Sequence, residues 1–207
     1  MSDRAHVGFA GIEKLLTDNQ PKATADLAKY FTSYAGRWFE HFSALSEPDR
    51  LNANDMIACS ALSVEFDGRT MDRLMAREAE INALLTQCPR REVPLWELQV
   101  DGADYRALSD LYTLLRGIDG MGPVRTSKLL ACKRPHAVPI RDSVVEALLG
   151  PTTEWWRPWR DVVDNEHLRA LVAAVTPPEV PDGTSILRRL DVILWMHGKR
   201  VAEQVEL

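Results

Sequence analysis

The sequence predicts an all-α fold, and three observations carry this. Apolar residues recur at three- and four-residue steps along most of the chain. No stretch alternates with a period of two over several strands. Glycine and proline fall mostly between the periodic segments, where helices stop. At 207 residues, 45% of them hydrophobic, the chain can bury a sizeable core.

Residues 25–45 read as one helix between Pro21 and Pro48, with Leu27, Tyr30, Phe31, Tyr34, Trp38, Phe39 and Phe42 on its apolar face. Residues 54–66 put Met56, Ile57, Ser60, Ala61 and Val64 on one face before Gly68. Residues 70–88 carry Met71, Leu74, Met75, Ile81, Leu84 and Leu85 and end before Pro89. The run to Gly102 is irregular, with room for a brief strand or a loop. Residues 103–116 repeat apolar Tyr105, Leu108, Leu111, Tyr112 and Leu115 at helical spacing. Gly117, Gly120, Gly122 and Pro123 then signal a turn. Pro123 opens a helix to Lys133. Pro135 stops it, and Pro139 keeps the next residues extended. Ser143 and Glu146 have capping-box spacing for a helix through Leu149. Trp155, Trp156 and Trp159 read as a core cluster. Two more helices are expected, at 165–175 and 184–205. In the second of these Ile186, Leu190, Ile193 and Trp195 are expected inside, and Arg188 and Arg189 outside.

Composition excludes several classes. No run reaches the ~18 apolar residues of a spanning helix. The first residues include Asp3, Arg4, Glu13 and Lys14, unlike a signal peptide. We therefore expect a cytoplasmic protein with no membrane partner. Cys59, Cys88 and Cys132 give neither a disulfide framework nor a CxxC pair and read as buried thiols. The five histidines lack metal-ligand spacing, so no metal is expected. No phosphate loop of the GxxxxGK type is present. The net charge of −5 disfavours nonspecific coating of nucleic acid. Yet residues 116–141 hold six basic side chains and a single acid, Asp119. That reads as one local patch on an acidic body, suited to gripping an anion at one place.

Residues 111–150 carry the chemistry. A helix runs into Ile118-Asp119-Gly120-Met121-Gly122, and another begins at once. The free amides and dipole of the second helix make an anion site at the turn. Arg125 and Lys128 on its first turns add charge. Such a device holds a backbone phosphate without reading bases.

These residues resemble the hairpin of a helix-hairpin-helix motif. The segment from there to Asp142 resembles the helix-hairpin-helix DNA glycosylases, the endonuclease III-like superfamily. There a glycine-rich hairpin leads to a helix, a short extended run with proline, and an aspartate at the next helix start. Here the run is Arg134-Pro-His-Ala-Val-Pro-Ile-Arg-Asp142, with Asp142 twenty residues after Gly122. The resemblance covers about forty of the 207 residues. It implies a two-lobed helical bundle: one lobe from 21–110, the hairpin and aspartate in 111–150, and a second lobe from 151–207 with the N-terminus. It implies removal of a base from double-stranded DNA, Asp142 being the essential carboxylate and no cofactor entering the chemistry. Gly120, Gly122, Arg125, Lys128 and Arg141 would hold DNA, and His136 is a candidate for the same pocket. The resemblance also allows a monovalent cation on the hairpin backbone.

Two departures stand out. The lysine of strand-cleaving members is replaced by Val124, and Lys128 lies one turn further on, where it is expected out of reach. Arg141 sits where a small apolar residue is expected, able to pair with Asp142 or touch phosphate. The alternatives are a helix-hairpin-helix module that binds DNA without catalysis, and a helical bundle in which the hairpin is only a turn. The oligomeric state is left open.

Overall fold

A computed structural model describes residues 6–152 and 154–205. Asp3 and Arg4 lie outside them. The described residues are all-helical, with twelve α-helices and no strand. They are α1 (Ile12–Asp18), α2 (Gln20–Ser33), α3 (Trp38–Ala44), α4 (Ala53–Ala61), α5 (Gly68–Ala76), α6 (Glu78–Leu85), α7 (Ala103–Arg116), α8 (Pro123–Lys133), α9 (Ser143–Leu149), α10 (Trp156–Asp164), α11 (Glu166–Ala174) and α12 (Ile186–Val205). None is long and apolar enough to cross a membrane.

Two expected helices are each split. The run 25–45 breaks at Tyr34–Gly36, between α2 and α3. At Gly36 the chain passes close to α2: the Tyr30 hydroxyl lies 1.9 Å from where a Gly36 Cβ would stand. The run 70–88 breaks at Arg77, between α5 and α6. The irregular run to Gly102 holds only a 3-10 turn at Leu95–Glu97. The tryptophan cluster is itself a helix, α10, because Trp156, Trp159 and Val163 share one buried face.

Helix α8 lies at the centre, with every residue from Thr126 to Lys133 buried. Helices α3 and α4 pack on each other and on α8, α6 packs on α7, and α7 on α8. The long α12 packs on α2, α9 and α11. The N-terminal segment joins this side. Val7 donates to Leu148 O at 2.9 Å, α1 meets α11, and Phe9 puts its ring edge-on to Trp155 and Trp159. The buried apolar side chains form one continuous cluster.

Burial corrects several sequence expectations. Trp38 is 46% exposed, beneath the Arg37 guanidinium, rather than core. On α4 the inner face is Asp55, Ala58 and Cys59, and Ile57 is exposed. The rotation follows Asp55, which is fixed inside by Lys133 at 2.6 Å. The basic patch of residues 116–141 does not form a surface. Lys133 is paired inside with Asp55, and Arg134 with Asp49 at 2.5 Å. Both side chains are buried, because each also binds carbonyls of the 47–50 loop. They are anchors for a neighbouring loop, and charge counted along the sequence cannot tell an anchor from a surface. Cys59, Cys88 and Cys132 are buried and free. Burial pushes Cys88 up to about 11 and Cys132 up to about 12, so both stay protonated thiols at neutral pH.

Candidate functional site

The hairpin between α7 and α8 is built as a tight turn. Met121 N donates to Ile118 O at 2.9 Å, and Gly120 has φ +91. A Cβ on Gly120 would lie 2.2 Å from Thr70 Oγ1, on the first turn of α5. Thr70 cannot easily give way, since its hydroxyl donates to Asp67 at 3.0 Å. Gly122 differs: it caps α8 with φ −69, and a Cβ there would meet nothing within 4 Å. No side chain caps α8, which leaves its first amides without a side-chain acceptor. Gly120→Ala should therefore destabilise the fold by about 1–3 kcal/mol and Gly122→Ala by far less. Thermal unfolding of both variants checks this, and equal losses would refute the account of the turn.

The hairpin carbonyls do not suit a monovalent cation. Arg125 donates to Gly120 O at 2.6 Å and Arg116 to Met121 O at 2.5 Å. Arg73 reaches Asp119 O at 3.4 Å, and Ile118 O already accepts from Met121. Oxygens that would surround a cation are thus taken, three of them by guanidinium groups. The residues fit an anion beside the arginines instead.

Asp142 is the N-cap of α9. Its Oδ1 accepts from Val144 N at 3.0 Å, so the cap sits one residue earlier than the Ser143–Glu146 spacing suggests. Its Oδ2 meets Lys128 Nζ at 3.2 Å. Lys128 is the main departure from expectation. It is a buried residue, 6% exposed in its side chain, that also donates to Leu62 O at 3.0 Å. One helical turn beyond Val124, α8 aims that face into the core and sets Lys128 beside Asp142. It is not on the hairpin's outer surface. Arg141, in contrast, turns away from Asp142. Its Nε donates to Glu146 at 2.6 Å, and its guanidinium lies 5.4 Å over the Trp155 ring.

Asp142 and Lys128 line a cavity of about 480 Å³. Its walls come from α2 and the turn after it (Tyr30, Tyr34), the end of α4 (Ser63), α8 and α12 (Asp191, Trp195). Tyr34 and Trp195 meet edge to face at 5.5 Å. Val124 lines this cavity and also the groove along the hairpin, Arg116 to Arg125. The carboxylate and the glycine turn thus open onto adjoining hollows. His136 is elsewhere. It lines a smaller cavity of about 240 Å³ with Glu40 and Arg91, which shares Ile140 and Arg188 with the Asp142 cavity. Burial, then the Arg91 charge, lowers its pKa, so it is neutral at pH 7.

The sequence pattern alone misses Arg188 and Asp191. Arg188 is buried, not exposed, and its guanidinium is fully engaged. It pairs with Glu40 at 2.6 Å and Asp191 at 2.6 Å, donates to the Tyr30 hydroxyl at 2.7 Å, and reaches Gly36 O at 3.2 Å. A signal existed: Arg188, Asp191 and Trp195 fall on one stripe of α12, and a charged pair on an inward stripe is unusual. Among the described residues no cluster of three His, Cys, Asp or Glu forms a metal site.

Residues 23–198 match a family of unknown function, DUF6308. No curated protein and no solved structure matches the chain.

Proposed function

Since the chain belongs to that family, whose description names no activity, we propose from the site itself a DNA-repair-type hydrolase. It binds double-stranded DNA at the hairpin and hydrolyses the bond between an extruded base and its sugar. One observation carries this reading: Asp142 lines a cavity that meets the hairpin groove at Val124. In this reading the phosphate rests on the turn and the nucleotide passes Val124 to reach the carboxylate.

The roles come from charge. Positive charge builds on the deoxyribose as the base leaves, and Asp142 stabilises it and orients the attacking water. Lys128 and the Val144 amide hold the two Asp142 oxygens in place. Tyr34 and Trp195 give the extruded base aromatic faces. Arg116 and Arg125 keep further guanidinium nitrogens for the backbone, beside the amides of Gly122 and the α8 start. The two-lobed arrangement belongs to this proposal. One lobe carries α2 to α6, the other joins the N-terminus to α10, α11 and α12, and the cavity lies where α2, α4, α8 and α12 converge.

Lys128 supports a second reading. In that reading the Lys128 ammonium, 3.2 Å from Asp142, gives a proton to that carboxylate and the free amine attacks C1′ as the base leaves. Borohydride then traps a protein–DNA adduct with wild type and none with Lys128→Met.

The experiment uses duplexes each carrying one modified base. We expect alkali-labile sites from at least one lesion, and affinity that falls with salt. Arg125→Ala should lower the salt slope by about one. Salt-sensitive binding without base release would leave the non-catalytic module. Neither binding nor release would overturn the proposal and leave a helical bundle.

A further inference from the structure

The cavity holds a second carboxylate that the proposed hydrolysis does not yet use. Asp191 projects from α12 with 7% of its side chain exposed. Its Oδ2 pairs with Arg188 at 2.6 Å. Its Oδ1 is shut from solvent and has no hydrogen-bond partner, a costly state for a carboxylate oxygen.

Charge counting explains what sits there. Glu40 and Asp191 share one guanidinium, Arg188, and Lys128 is already matched by Asp142. The groups facing Asp191 come from every packed element: Tyr30 from α2, Glu40 from α3, Lys128 from α8, Asp142 at the cap of α9, and Arg188 on its own helix. Among the buried and half-buried groups, three carboxylates face two cations, one negative charge in surplus; Lys199 also lines the cavity but is exposed, where solvent screens it. A proton on Asp191 removes the surplus and turns the orphan oxygen into a donor. Burial pushes Asp191 up to about 6, against the pull of Arg188 and with a push from Asp142.

Resting on the reading above, we propose that Asp191 is a catalytic acid, which delivers a proton to the departing base while Asp142 stabilises the sugar. The substrate class is then a neutral base with a ring nitrogen that can be protonated, such as a purine. As the bond from C1′ to the base nitrogen breaks, its electron pair goes to the base. The Asp191 proton goes to a ring nitrogen of that base. Water adds its oxygen to C1′ and releases its proton through Asp142 to solvent, and Asp191 is reprotonated by water that enters the cavity once the base has left.

The sign of the pH effect is fixed. The acid is present below its pKa and lost as pH rises through about 6, so release of a neutral base falls there. A base that is already cationic leaves without this proton.

Two duplexes test the assignment, one with hypoxanthine and one with 7-methylguanine. Asp191→Asn cannot give a proton yet keeps a polar partner for Arg188. It should slow hypoxanthine release by about a hundredfold or more, abolish its pH dependence near 6, and leave 7-methylguanine release within about threefold. Asp142→Asn should slow both. If Asp191→Asn slows both bases alike or neither, or if wild type releases only 7-methylguanine, Asp191 is not the acid. If wild type releases no base from any duplex, the hydrolase reading fails, and this assignment with it.

Discussion

Asp142→Asn is expected to lower single-turnover base release by at least about a hundredfold, the usual scale for removing one charged group that acts only in the transition state. The variant isolates charge from folding. Asparagine caps a helix about as well as aspartate. Its amide oxygen can still accept from the Val144 amide or from Lys128, the two donors that Asp142 now satisfies. Helix α9 should therefore persist, and the melting temperature should stay within about 5 °C of wild type. DNA affinity should also persist, because the hairpin contributes the phosphate contacts. Equal rates in wild type and variant would remove Asp142 from the chemistry. A large melting shift would mean the residue is structural.

This separation matters because Asp142 is plainly also a cap. A cap satisfied by Oδ1 alone leaves Oδ2 for other work, and Oδ2 is the atom that meets Lys128 in the cavity. The same division recurs at the hairpin. Gly120 is required by backbone geometry against Thr70. Gly122 is under no steric demand, and a bare α-carbon there keeps the α8 amides approachable.

What the sequence can reveal of this depends on the range of the interaction. Local patterns are legible. The helices at 103–116, 123–133 and 143–149 come from periodicity, Pro123 and the turn residues, and Asp142 falls at the start of the last of them. Long-range partners are not legible. Arg188 reads as a solvent residue until Glu40 and Tyr30, far away in sequence, close around it. Lys133 and Arg134 count towards a basic patch suited to an anion until the 47–50 loop folds over them. The need for glycine at position 36 comes from Tyr30 packing against it, which no propensity encodes. His136, six residues from Asp142, lines a neighbouring cavity with Glu40 and Arg91, which no local pattern in the sequence indicates.

Lys133→Met should have the largest effect on stability. Lys133 and Asp55 are 1% and 0% exposed, at 2.6 Å. Lys133 also donates to Ser46 Oγ and Glu47 O at 2.8 Å each and to Arg50 O. Its ammonium is thus the hub that ties α8 to α4 and to the loop before it. Burial lowers its pKa, and the Asp55 charge opposes that shift. Methionine keeps the volume and removes the charge. Asp55 would then be an ionised carboxylate sealed in the core, with only Asn52 N, Ser46 Oγ and the Cys132 thiol as donors. Breaking such a pair on one side costs about 3–5 kcal/mol. For a chain of this size that lowers the melting temperature by about 6–20 °C. Removing both charges together, Lys133→Met with Asp55→Leu, should cost less than the two single losses combined, because no unmatched charge remains. Lys14→Met provides the contrast, since its partner pair with Asp18 is 79% and 53% exposed and should leave melting unchanged. If Lys133→Met melts like Lys14→Met, the buried charges are not what holds the 47–50 loop on α8, and their place in residues 116–141 would again call for a surface partner.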